Sequence, residues 1–187
     1  LICWSHYLRS RKVGSCYYQL EIQVNWNIMS KTPQIDALDR KIIRALQRNG
    51  RITNLELAAE VNLSPSPCLR RLRNLENNGA ITGYSVDVNA KAYGLPVTVM
   101  VRISLEKHTE DVVIRFEEQM KAIPEVLECF VMTGLSDYLL RVVVSDLEDY
   151  ERFVRDRLHP VGGISSIDTS FVYGVVKRTH EFPEFRG

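Results

Sequence analysis

About halfway along this chain the spacing of its apolar residues changes period. Up to Gly79 they recur at intervals of three and four: Leu38, Ile42, Leu46; then Leu55, Ala58, Val61; then Cys68, Leu72, Leu75. From Val97 they alternate instead, with Val99, Val101, Ile103 and Leu105 interleaved with Thr98, Arg102 and Ser104. A stripe at 3.6 residues is one face of a helix, and an alternation at 2 is one face of a half-buried strand. The two halves therefore bury their apolar residues in different ways. A chain of 187 residues has room for two small cores.

Local signals punctuate the first half. A first helix carries Leu38, Ile42, Ile43 and Leu46 and is stopped by Asn49-Gly50. Thr53 followed by Glu56 three residues later is a capping box that opens a second helix. Asn62 follows, a residue that tolerates the left-handed conformation of a sharp interhelical turn. Ser64 is placed to cap a third helix, and Pro65 sits at its first position, where a missing N–H costs nothing. This helix ends near Asn78-Gly79, and residues 81–89 read as a short strand or wing.

The second half reads as strand, helix, strand, strand, helix, strand. Val113, Phe116, Met120 and Ile123 space as a helix ended by Pro124. Residues 126–133 form a second strand, Gly134-Leu-Ser-Asp137 a hairpin turn, and Tyr138, Leu140, Val142 and Val144 a third strand. Leu147, Tyr150, Phe153 and Leu158 make a second helix ended by His159-Pro160, and residues 165–177 a fourth strand. The expected class is α+β: a winged helix-turn-helix over residues 32–90, then a ferredoxin-like βαββαβ domain over 91–187. Residues 1–31 show neither period. They read as a leader or arm outside the fold, with Met29 as the natural start.

Composition removes several functions. With 45% apolar and 25% charged residues the chain is not globally disordered. No apolar run approaches the roughly 20 residues of a membrane span, and the first 28 residues hold no secretory h-region. Cys3, Cys16, Cys68 and Cys129 form no C-x-x-C pair, which argues against a zinc site or disulfide framework and for a reducing cytoplasm. His6, His108, His159 and His180 are dispersed, and no nucleophile motif or phosphate-binding glycine loop is present. No catalytic residue, metal or cofactor is expected. Charge is uneven: residues 33–91 carry nine basic and six acidic side chains, and residues 92–187 eleven and sixteen. The first segment is thus the one suited to a polyanion.

The third helix says which polyanion. At about 100° per residue, Cys68, Leu69, Leu72 and Leu75 point to the core, with Glu76 beside them. Ser66, Pro67, Arg70 and Asn74 point outward, flanked by Arg71 and Arg73. Arginine reaches guanine and asparagine reaches adenine bidentately, and serine reaches base or phosphate. Ser64 and Asn54, at the starts of the third and second helices, complete the expected DNA-binding set.

These residues carry a resemblance. Ile52-Thr-Asn-Leu-Glu-Leu-Ala58, Leu63-Ser-Pro-Ser-Pro-Cys-Leu-Arg-Arg-Leu-Arg-Asn-Leu-Glu76 and Gly79-Ala-Ile-Thr-Gly-Tyr84 resemble the DNA-binding half of the Lrp/AsnC, or feast/famine, regulators. Cys129-Phe-Val-Met-Thr-Gly-Leu-Ser-Asp-Tyr-Leu-Leu-Arg141 resembles the strand–turn–strand core of their regulatory domain. The resemblance implies a transcriptional regulator that binds operator DNA and forms homodimers assembling to octamers or similar discs. It also implies an amino-acid effector between dimers, near Gly134, Ser136, Asp137 and Tyr138. Asp137 suits an ammonium, and turn N–H groups near Gly134 suit a carboxylate. Two rivals differ in kind. One is a ligand-independent DNA-wrapping protein. The other is a tetrapyrrole decarboxylase, which some relatives of the family are, but such enzymes lack the basic helix that Arg70, Arg71 and Arg73 supply here.

Overall fold

The computed structural model describes residues 33–184; the leader expected over residues 1–31 lies outside the described residues. The chain divides into two compact units, one up to Val86 joined by residues from Thr179 onward, the other Asp87–Arg178. The residues from Thr179 were expected with the second domain. They group with the first because their side chains pair with its first helix, as described below.

In the first unit, α1 (Ala37–Arg48), α2 (Asn54–Glu60) and α3 (Pro65–Asn77) enclose Ile42, Ala45, Leu57, Ala58, Val61, Cys68 and Leu75. Three local signals behave as read. Thr53 and Glu56 form the capping box of α2, Asn62 takes φ 57°, and Pro65 opens α3. Asp36 and Asp39 form a second capping box on α1. Ser64 stands at the N-cap of α3, but its hydroxyl makes no capping bond.

Residues 81–89, expected as a short strand or wing, form no regular element and join no ladder among the described residues. Gly83, Asp87 and Asn89 are poor strand formers, and a strand without a partner has nothing to bond to.

In the second unit, after the single turn α4 (Ala90–Tyr93), β1 (Val97–Leu105), β2 (Val126–Val131), β3 (Tyr138–Val144) and β4 (Ile164–Phe171) form an antiparallel sheet in the order β2-β3-β1-β4. The helices α5 (Glu110–Ala122) and α6 (Leu147–Phe153) follow β1 and β3. This is the expected βαββαβ order. Val99, Val101, Ile103, Leu140, Val142 and Val144 are fully buried with Phe116 and Leu158. The β1–β4 pairing skips Ser165, and two further features depart from the expected strands. Leu127 is skipped in the β2–β3 pairing, and β4 ends at Phe171, well short of Lys177. Phe171 already pairs with Val99, so β1 has almost no residues left to continue the ladder.

Candidate nucleic-acid interface and effector turn

The outward face of α3 is as the wheel placed it. Ser66, Arg70, Arg73 and Asn74 are exposed, and Pro67 is half-buried. In the first turn Pro65 and Pro67 carry no N–H and the Cys68 N–H donates to the Ser64 carbonyl, so the open backbone donor is that of Ser66, to which the Ser64 hydroxyl makes no bond. N–H groups at such an end suit a phosphate oxygen.

Three residues make contacts that the sequence did not announce. Arg71 donates through Nη1 to Asp36 Oδ2 and to Asp39 Oδ1, both at 2.8 Å, which ties α3 to the start of α1. Asn54 donates from Nδ2 to the Pro65 carbonyl at 3.0 Å, tying the start of α2 to the start of α3. Its Oδ1 is buried without a partner among the described residues. Arg71 and Asn54 thus fix the start of α3 against α1 and α2. Glu76 does not face the core: it is exposed, and the Tyr84 hydroxyl donates to it at 2.8 Å.

The Asp36 tie is sensitive to acid. The Asp39 N–H, and then Arg71, hold the Asp36 carboxyl below its ordinary value. A lowered carboxylate contributes stability above its unfolded pKa, and that contribution is lost as pH falls through the folded one. The tie is therefore intact at neutral pH. An Arg71→Gln variant is expected to lower stability by up to about 1 kcal/mol in urea titrations, the scale of an exposed ion pair. Its operator preference should be unchanged; a shifted base preference would return Arg71 to the reading face.

In the second unit the turn between β2 and β3 brings Gly134, Ser136 and Asp137 together, with Gly134 at φ 125°. Asp137 is strongly engaged. Its Oδ2 accepts the Leu105 N–H at 2.7 Å, and its Oδ1 lies 2.8 Å from His108 Nε2. Its own N–H donates to the Ile103 carbonyl at 2.9 Å. Tyr138 belongs to the core: it is buried, its ring centroid lies 4.5 Å from that of Phe116, and its hydroxyl donates to Glu117 at 3.1 Å. The turn is therefore latched to the end of β1, and His108 is the partner that sequence reading missed. A histidine 29 positions from its carboxylate leaves no local signal.

A groove of about 410 Å³ lies against β2 and α5, lined by Glu117, Lys121, Leu127, Cys129 and Tyr138 among others. Burial of the thiol against the groove, and then Glu117, push Cys129 up to about 11. No group of His, Cys, Asp and Glu among the described residues is arranged to hold a metal ion.

A three-helix unit whose third helix turns Ser66, Arg70, Arg73 and Asn74 outward together, followed by a βαββαβ unit, defines a DNA-binding regulator with a separate second domain. Residues 35–82 match the family described as winged helix-turn-helix DNA-binding, and residues 98–182 match the Lrp/AsnC ligand binding domain. The chain is 42% identical over 138 residues to the Bkd operon transcriptional regulator of Pseudomonas aeruginosa, covering 74% of this chain and 90% of that protein. It is 36% identical over 146 residues to the leucine-responsive regulatory protein of Escherichia coli, covering 78% and 89%. Among solved structures, a transcriptional regulator of Neisseria meningitidis in complex with L-Met is 38% identical, with a TM-score of 0.76 over 80% of this chain and 97% of that one. Escherichia coli AsnC is 27% identical with a TM-score of 0.71, over 80% and 99%. The protein belongs to the Lrp/AsnC family of transcriptional regulators.

Proposed function

We propose that α3 reads operator DNA through Ser66, Arg70 and Asn74, and that the second unit binds an amino acid that modulates this reading. The observation that carries the proposal is the outer face of α3: Ser66, Arg70, Arg73 and Asn74 exposed together with no carboxylate among them. Ser64 and Pro67 border that face at the helix start, where the Ser66 N–H is placed to receive phosphate. Arg73, at its side, is a phosphate contact. Its replacement by alanine is expected to weaken all DNA about equally and to flatten the slope of log affinity against log salt by about one. A loss confined to the operator would show that Arg73 reads a base.

The Neisseria relative with L-Met supports an amino acid as the ligand class. In this chain Gly134, Ser136 and Asp137 offer turn amides and a carboxylate, and Tyr138 backs the turn from the core. An ammonium reaching Asp137 Oδ1 would share that oxygen with His108. Homodimers present two recognition helices to a roughly palindromic operator, and further assembly to octamers follows the family pattern. The protein acts in the cytoplasm without a cofactor or an enzymatic step.

The test pairs thermal shift against the twenty amino acids with operator titration. A specific ligand raises stability by about 2.7 kcal/mol at a hundredfold excess over its dissociation constant. By reciprocity the same amino acid must change operator affinity. Absence of both effects would leave a ligand-independent DNA-binding protein.

A further inference from the structure

Arg40, Lys41, Arg44 and Arg48 stand at i, i+1, i+4 and i+8 on α1, within about 100° of arc. They lie on the side away from Ile42 and Ala45, which are buried in the core. Like charges at i, i+4 repel, so a helix carrying such a stripe is stabilised by nearby anions. Glu60 on α2 supplies one, to Arg48. Two more arrive from the far end of the chain. Arg44 Nη2 meets Glu181 Oε1 at 3.0 Å, and Arg44 Nη1 meets Glu184 Oε1 at 2.7 Å, 140 positions away. Arg48 Nη1 lies 3.4 Å from the same Glu181 oxygen. The Phe182 N–H donates to Gln47 Oε1 at 3.1 Å, which fixes the backbone between the two glutamates. Beside this contact a cleft of about 240 Å³ is lined by Lys41, Arg44, Arg48, Glu60 and Val61.

We propose that residues 179–184 are an acidic mask seated on a second phosphate-binding surface, the basic stripe of α1. The proposal rests on the reading of this unit as DNA-binding. The chemistry is that of a stand-in: two carboxylates occupy guanidinium donors that suit the oxygens of a DNA backbone. Glu184 and Arg48 are well exposed, so the ion pairs are of the weak kind that competing phosphates displace. While seated, the mask withholds Arg44 from sequence-independent attraction, adds to the hold of Glu60 on Arg48, and leaves discrimination to α3. When it lifts, the unit gains general grip on DNA and loses selectivity.

The experiment measures affinity for a short duplex of unrelated sequence between 50 and 200 mM salt, with the full chain. For E181Q/E184Q, which frees Arg44 while Glu60 still holds Arg48, the slope of log affinity against log salt is expected to steepen by about one, widening the affinity difference across that range about three- to fourfold. E184Q alone, a change at an exposed residue, is expected to give about half the steepening. R44Q/R48Q should change little in the wild-type chain, where those guanidiniums are occupied. In the E181Q/E184Q background it should return the slope to the wild-type value. An unchanged slope in both glutamine variants would overturn the mask. So would an R44Q/R48Q effect of equal size in both backgrounds, the signature of simple charge addition. A wild-type chain that binds no duplex even at 50 mM salt would sink the DNA-binding reading itself, whereas operator binding with unchanged slopes sinks only the mask.

Discussion

An Arg70→Ala variant is expected to bind its operator about 5- to 150-fold more weakly, the range that follows from one good bidentate base contact of about 1–3 kcal/mol. The loss should be selective. Affinity for unrelated duplexes should stay close to that of the unaltered chain, and tolerance at one operator base pair should widen. The reason is position. Arg70 is exposed near the middle of α3, one turn after Ser66 and one turn before Asn74, so the three share a single line along the helix. Arg71, the next residue, is turned to Asp36 and Asp39. The Arg70 variant should fold normally, because its side chain lies outside the core. Competition titration against operators altered at single positions checks both parts. Equal losses on every sequence would make Arg70 a phosphate contact.

Asp137→Ala is expected to reduce amino-acid affinity about 10- to 150-fold, the cost of a charge-assisted bond worth roughly 1.5–3 kcal/mol. Operator binding without ligand should persist, since α3 lies in the other unit. Asp137 also latches its own turn, and alanine releases the Leu105 N–H and His108 along with any ligand. The Asp137→Asn variant separates the two roles. Asparagine keeps an acceptor for the Leu105 N–H but gives up the negative charge. If ligand affinity falls as far in the asparagine variant as in the alanine variant, the charge holds the ammonium. If asparagine restores it, Asp137 serves the effector only by holding the turn in shape. Isothermal titration with the amino acid found by thermal shift provides the measurement.

Signals that act within a few residues were legible in the sequence. The Thr53–Glu56 box, the left-handed Asn62, Pro65 at the start of α3 and the alternation along β1 are each decided by neighbours in the chain. The outer face of α3 follows from its period alone. What escaped depends on partners distant in sequence. The two carboxylates that pair with Arg71 lie at the start of α1, 32 and 35 positions earlier, so no neighbour in the chain announces the pair. His108 looked idle because Asp137 is reached only through the β1–β3 pairing. Residues 172–177 have the alternation of a strand, but β1 runs out before they can pair. The candidate effector turn was placed by its motif, while the burial of Tyr138 needed the packing of α5 against the sheet.

One irregularity of the sheet bears on solubility. β2 is an outer strand, and Leu127, Phe130 and Val131 along it are each close to half exposed. An apolar strand with an unpaired side is a template on which another chain can stack. Here the step over Leu127 breaks the strand's repeat, so that the pairing with β3 runs unbroken only from Glu128 to Val131. A bulge of this kind twists the outer backbone out of line and leaves an incoming strand only four residues in register. Glu128, ion-paired with Arg141 at 2.7 Å, places charge at the start of that short run. The skipped leucine thus shortens the regular run that the outer side of β2 presents to any further strand.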